Sequence, residues 1–240
     1  MISIEKINKS FGKLKALNNV SLTFNKGEAI SLIGPNGSGK TTLIKCLLGM
    51  VIPDDGNISF NGISVINDWK YRSKIGYMPQ IGRYPDNMTI RQIFDMMYDL
   101  RKVESKNSDN ELISLFGLDH IMSKRMNTLS GGTRQKVSAS LAFLFHPDVL
   151  VLDEPTAGLD PLSSEILKEK IRKEKELGKL ILITSHILSD LDDLVTEVIY
   201  LQDGNILFHK SLHQLREDTN EEKLSRAIAV VMKNSGKIDV

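Results

Sequence analysis

The run ISIEKI (2–7) alternates apolar and polar positions, the period-two signature of a half-buried strand. VSLTF (20–24) repeats the pattern after an Asn18-Asn19 turn signal, and ISF (58–60) leads into Asn61-Gly62, a strong hairpin cue. These runs predict an N-terminal antiparallel β subdomain. AISLI (29–33), VLVLD (149–153) and LILIT (180–184) are short and almost wholly apolar, which suits strands buried on both faces of a mostly parallel sheet. Helical patterns separate them, as βα crossovers require. SSEILKEKIRKEKEL (163–177) reads as a charged amphipathic helix stopped by Gly178, and EVIYL and ILF flank a hairpin at Gln202-Asp203-Gly204-Asn205.

The stretch from about 85 to 146 reads as helical throughout. Thr89 with Gln92 has the form of a capping box, followed at helical spacing by Ile90, Ile93, Phe94 and Met97. Ser108 with Glu111 repeats that form ahead of Leu112, Leu115 and Phe116. A helical block between strands predicts an inserted α-helical subdomain, although helices that simply cover the sheet would give the same pattern. The whole reads as one α/β domain over 1–215, with a short tail over 216–240 in which LSRAIAVVM forms a helix.

Composition narrows the class. Of 240 residues, 41% are hydrophobic and 25% charged, a soluble globular balance with enough chain to bury a core without disulfides or metal. Lys and Arg total 31 against 30 Asp and Glu, so bulk charge does not hold this chain to nucleic acid. Cys46 is the sole cysteine, which excludes an internal disulfide. No signal peptide and no membrane-spanning run are visible, so the expected location is cytoplasmic, with any membrane role supplied by a partner.

The strongest chemical signal is GPNGSGKT, running through Gly34, Pro35, Asn36, Gly37, Ser38, Gly39, Lys40 and Thr41, with Thr42 behind it. It fits G-x-x-x-x-G-K-[ST] and lies between a buried strand and a helix, the context of a P-loop NTPase core. The glycines let the backbone curl with its N–H groups inward, and the helix adds its positive end; together these surround phosphate oxygens. Lys40 reaches the β- and γ-phosphates, and the Thr41 hydroxyl ligates Mg²⁺. Asp153 ends the buried run VLVLD and is placed to hold Mg²⁺, while Glu154 follows as a general base for water. LSGGTRQK (129–136) precedes a second helix; Ser130, Gly131 and Gly132 offer a hydroxyl and two N–H groups, a second anion site.

This set resembles the nucleotide-binding subunit of ATP-binding cassette (ABC) transporters, over about residues 2 to 215. The order phosphate loop, Gln80, LSGG, VLVLDEP, AGLD and His186 carries the resemblance. It implies a head-to-tail dimer in which the LSGG segment of one cassette closes on ATP held by the other. It also implies Phe11 as the ring that stacks on adenine, where the family more often has Tyr, and Gln80 as a contact to Mg²⁺ or water that senses a membrane subunit. Asp160 of AGLD matches the loop crossing the dimer interface, and His186 matches the switch histidine that contacts the γ-phosphate. His120, His146, His209 and His213 match no motif. Thr133 replaces the commoner glutamine of LSGGQ, a departure that leaves Ser130, Gly131 and Gly132 in place.

The reaction so implied is ATP + water → ADP + phosphate, powering an integral membrane permease subunit from the cytoplasmic face as a homodimer or heterodimer of cassettes. A GTPase is disfavoured because neither Asn8-Lys9 nor Asn25-Lys26 has Asp at the fourth position. A small-molecule kinase would lack LSGG, and a non-catalytic module would not keep Lys40, Glu154 and His186. A soluble ABC ATPase uncoupled from transport is the remaining rival. YMPQ, YPDNMTIRQ, LSGGTRQK and ILSDLDDL resemble drug- and lipid-exporter cassettes. HPDVLVLDEPTAGLDPLSSEILK is also similar to cassettes linked to copper delivery for nitrous-oxide reductase.

Overall fold

The computed structural model describes residues 1–65 and 68–234. In chain order the first elements are β1 (Ile2–Phe11), β2 (Leu14–Phe24), β3 (Ala29–Ile33), α1 (Lys40–Leu47), β4 (Asp55–Phe60) and β5 (Ile63–Ser64). Next come β6 (Ile75–Met78), α2 (Ile90–Arg101), α3 (Glu111–Leu115), α4 (Gly131–Phe143), β7 (Val149–Asp153) and α5 (Pro161–Glu176). The chain continues through β8 (Leu180–Thr184), β9 (Glu197–Gln202), β10 (Asn205–Ser211), α6 (Leu212–Thr219) and α7 (Leu224–Asn234). Two compact units result, one from Met1–Trp69 with the chain from Leu182 onward, the other from Lys70–Ile181.

In the first unit, β1 is the centre of an antiparallel sheet of order β2-β1-β4-β5, with Ile2 opposite both Phe24 and Phe60. The alternation read in ISIEKI appears as buried Ile2, Ile4 and Ile7, with an irregularity at Glu5–Ile7 that resets the register. A second layer has the order β10-β9-β3-β8; β9 runs parallel to β3 and antiparallel to β10. All five residues of β3 are buried, and each large aliphatic side chain withdrawn there contributes about 1.5–3 kcal/mol.

In the second unit, β6 and β7 pair in parallel, Ile75 beside Val149 and Met78 beside Leu152. The 85–146 stretch carries α2, α3, α4 and short 3₁₀ turns around a core of Ile90, Ile93, Phe94, Leu118, Met126 and Val137. The Thr89–Gln92 capping box forms in both directions: Gln92 N–H donates to Thr89 Oγ1 at 3.2 Å, and Thr89 N–H to Gln92 Oε1 at 2.9 Å. The Ser108–Glu111 box does not form. Asp109 Oδ1 accepts from Glu111 N–H at 3.1 Å instead, and the Glu111 carboxylate is drawn away to Lys170 and Lys173, at 2.9 and 2.6 Å. Two ammonium groups facing one carboxylate, each a full counter-charge, outcompete a single charge-assisted hydrogen bond to a backbone amide.

The tail is ordered as α6 and α7 through Asn234, and its remainder, 235–240, lies outside the described residues. Among the described residues, no helix is long and apolar enough to cross a membrane.

Candidate nucleotide site

The phosphate loop leaves β3 at Ile33, whose partner on β9 is Tyr200. The next β9 residue, Leu201, closes the loop from behind. A Cβ at Gly34 (φ 149°) would stand 1.9 Å from the Leu201 carbonyl oxygen, and one at Gly39 (φ 108°) would stand 2.4 Å from that of Ala16. Both positions therefore require glycine for space as well as for backbone conformation. Gly37 (φ 79°) faces open space and needs glycine for conformation alone. The β9–β10 turn fastens the assembly: Gly204 N–H donates to the Ser38 carbonyl at 3.0 Å, and the Gly204 carbonyl accepts from Asn18 N–H at 2.8 Å. Ser38 Oγ is buried beneath the loop with no hydrogen-bond partner among the described residues.

Lys40 Nζ lies across the loop and donates to the Gly34 and Pro35 carbonyls, at 2.7 and 3.0 Å. These bonds hold an ammonium against the backbone of the loop. Thr41 is exposed and Thr42 half-buried on the first turn of α1, which has no acidic residue to oppose an anion. Pro35 and Asn36 form the exposed crest.

Phe11 closes β1 with its ring half exposed rather than in the core. The Asp54 carboxylate sets this strand end, accepting from Lys9 Nζ at 2.6 Å and Ser10 N–H at 2.7 Å; the lysine hydrogen bond, then the amide, pull it below the usual carboxylate range. The Lys9 ammonium is 5.6 Å from the Phe11 ring centre. His186, in the same unit, follows β8, the neighbour of β3 on the side away from β9.

The second unit holds the acids and the LSGG segment. Every residue of β7 is buried, and Asp153 and Glu154 stay buried at its end. Glu154 adopts φ 54°, a left-handed conformation that costs a non-glycine residue about 1–2 kcal/mol. Strain of that kind is found where a side chain must be aimed. β6 and β7 end side by side, Met78 paired with Leu152, so Gln80 and Glu154 each lie just past the end of one of these two neighbouring strands. Burial, with a smaller contribution from the Asp153 charge, pushes the Tyr77 phenol up to about 12.

Ser130 is the N-cap of α4 and accepts from Thr133 N–H at 3.2 Å. Its hydroxyl also shares a hydrogen bond with that of Thr133 at 2.9 Å, so the residue that departs from LSGGQ is wired to the serine. Gly131 faces open space, whereas a Cβ at Gly132 would stand 2.8 Å from the Gly158 carbonyl, placing LSGG against AGLD within one unit. Asp160 caps α5, accepting from Ser163 N–H at 2.9 Å and Ser163 Oγ at 2.7 Å, and pairs with Lys136 of α4 at 2.9 Å. These bonds, the serine hydroxyl first, hold its carboxyl well below the usual range.

Sequence motifs locate each of these residues but not the backing of the phosphate loop. Ala16, Leu201 and Gly204 carry no local signature; the Asp203-Gly204 turn announces a hairpin and nothing about where it lands.

Residues 17–157 match the sequence profile of the family described as ABC transporter. The ABC transporter ATP-binding protein NatA of Bacillus subtilis (strain 168) is 34% identical over 218 residues, 88% of this chain and 88% of that protein. The Nod factor export ATP-binding protein I of Burkholderia lata is 32% identical over 220 residues, 90% of this chain and 72% of that protein. A solved structure described as the ATP binding subunit of an ABC transporter superposes with a TM-score of 0.89 at 26% identity, covering 96% of this chain and 99% of that one.

Proposed function

Because this chain belongs to the ABC transporter family as an ATP-binding, ATP-hydrolysing subunit, we propose that it powers an exporter by closing on ATP as a head-to-tail pair of cassettes. The observation that carries the site assignment is the built phosphate loop, in which Gly34 and Gly39 admit no side chain and Lys40 spans the crest. Export is favoured by relatives whose names specify it, Nod factor export among them, and a drug- or lipid-like organic compound is the class of cargo we infer. The permease partner brings the cassette to the cytoplasmic face of the membrane. The helical stretch 85–146 serves as the subdomain that presents LSGG.

The roles divide as follows. Gly34–Thr42 hold the triphosphate, with Lys40 on its β- and γ-oxygens, and Phe11 stacks on the adenine. The donors suited to Mg²⁺ are the Thr41 hydroxyl, the Asp153 carboxylate and the Gln80 amide oxygen: hard oxygens, few in number, as an ion needs when phosphate and water complete its shell. When bound, Mg²⁺ neutralises charge developing on the phosphate oxygens. Glu154 accepts the proton of the attacking water as its oxygen bonds to the γ-phosphorus and the bond to the β–γ bridging oxygen breaks, releasing ADP and phosphate. His186 orients the γ-phosphate, and Ser130, Gly131 and Gly132 of the opposite cassette donate to it, with Asp160 lining the shared interface.

The test is light scattering of Glu154→Gln with and without ATP. Slowed hydrolysis should let the closed pair accumulate, giving an ATP-dependent shift from monomer to dimer that Lys40→Ala abolishes. A protein that binds no ATP, or binds it and stays monomeric, would contradict the proposal.

A further inference from the structure

A threonine on a helix ordinarily turns its hydroxyl to the carbonyl four residues back. For Thr133 that carbonyl belongs to Leu129, and Arg134 has taken it: Nε and Nη2 both donate to it, at 3.3 and 3.2 Å. A carbonyl oxygen has two lone pairs, so these two bonds fill it. The Thr133 hydroxyl faces Ser130 Oγ instead, at 2.9 Å, its only side-chain partner among the described residues. The rest of this turn is fixed as well. Arg134 N–H donates to the Ser130 carbonyl at 3.0 Å, Lys136 pairs with Asp160 at 2.9 Å, and Gly132 approaches the Gly158 carbonyl too closely to carry a Cβ. Within that frame Ser130 is exposed and Thr133 half-buried.

The protons available fix the direction of the hydroxyl–hydroxyl bond once a phosphate is present. Ser130 Oγ has two lone pairs and one proton. One lone pair accepts the Thr133 N–H at 3.2 Å. An ionised γ-phosphate offers acceptors only, so the serine proton must go to it. The 2.9 Å bond is then carried by the threonine proton, which fills the second lone pair of the serine. A chain results, from Thr133 O–H to Ser130 O–H to phosphate, in which each bond polarises the next.

We propose that Thr133 is a positioning residue for Ser130, aiming the serine proton at the γ-phosphate held by the opposite cassette. The proposal rests on the reading of LSGG as a donor across a head-to-tail pair. It gives a task to the one residue at which this chain departs from LSGGQ.

Thr133→Val keeps the branched shape and the backbone N–H and removes only the hydroxyl. The test measures, by sedimentation, the dissociation constant of the pair in a Glu154→Gln chain saturated with ATP and Mg²⁺. Each serine–phosphate bond should weaken about threefold, and a pair contains two, so the constant should rise about tenfold. Thr133→Ser restores a hydroxyl and should bring it back to within about twofold of the parent. ATP affinity of the dilute monomer should hold within about twofold in both variants, because LSGG serves the opposite cassette. A pair constant that Thr133→Val leaves unchanged overturns the proposal. So does a Thr133→Ser chain that pairs as weakly as Thr133→Val, or a tenfold fall in monomer affinity. Should Thr133→Val fail to fold, Thr133→Ala, a better helix former, takes its place with the same expected and overturning results. A Ser130→Arg chain that still pairs on ATP overturns the reading of LSGG beneath the proposal, a separate outcome.

Discussion

Gly34 and Gly39 look equivalent to Gly37 in the sequence, yet their surroundings separate them. Gly34→Ala and Gly39→Ala drive a Cβ into the Leu201 and Ala16 carbonyls and should reduce ATP affinity, measured by calorimetry, by at least about a hundredfold. Gly37→Ala meets no atom and bears only the conformational cost of about 1 kcal/mol, so its affinity should fall less than tenfold. Equal losses at all three positions would refute the packing account. Phe11→Tyr should bind as the wild type does, while Phe11→Ala should lose roughly two- to tenfold, matching about 0.5–1.5 kcal/mol of ring stacking. At this scale the motifs were legible because phosphate chemistry demands particular residues at fixed spacing. The Thr133 hydroxyl bond to Ser130 was not, since spacing alone does not say which way a threonine turns.

At the scale of elements, the capping signals separate local from tertiary control. Thr89 and Gln92 close their box because nothing competes, and Thr89→Ala should cost about 1 kcal/mol by urea unfolding. Glu111 forsakes Ser108 because Lys170 and Lys173 lie across from it on α5, a contact about sixty residues distant that no window of sequence displays. Lys170 is buried among Asp109, Glu111 and Glu174. Burial works against its charge, but the three carboxylates outweigh that and raise it above the ordinary lysine range. As far as the lysine's own titration goes, its contribution is present below the ordinary lysine range and is lost as pH rises through the raised value. Lys170→Ala would strand buried carboxylates at a cost of about 3–5 kcal/mol.

Glu111 shifts the other way, lowered by Lys173 and then Lys170. Its share of stability is present above the ordinary glutamate range and disappears as pH falls through the depressed value. Thermal unfolding should show Glu111→Gln destabilised at pH 7, with the gap to the wild type narrowing in acid. A gap constant with pH would assign Glu111 a packing role alone. Helix α6 had no sequence signal of its own: Ser211 caps it through Gln214 N–H at 3.1 Å, but LHQLREDT has only two buried positions, too few to show a period.

For the whole molecule, the prediction that follows from a head-to-tail pair is complementation. A mixture of Lys40→Ala and Ser130→Arg chains assembles pairs in which one phosphate loop and the opposite LSGG are both intact. Such a mixture should recover ATPase activity that neither variant has alone, and failure to recover any would exclude composite sites. The α/β class and its parallel and antiparallel layers were legible from apolar runs, since a strand buried on both faces has almost no other way to look. The division of the chain into two units was not, because the boundary at Leu182 cuts a strand that reads as uniform.

The Gly204 turn carries one further consequence. Its amide proton belongs to the Ser38 carbonyl, on the phosphate loop more than 160 residues earlier in the chain. Solvent deuterium can replace that proton only when the loop lets go. The exchange rate of a hairpin tip thus becomes a clock for the breathing of the nucleotide cradle, slowing when ATP clamps the loop and quickening when Gly34 is replaced. A two-residue turn would report occupancy of a site to which it contributes no ligand.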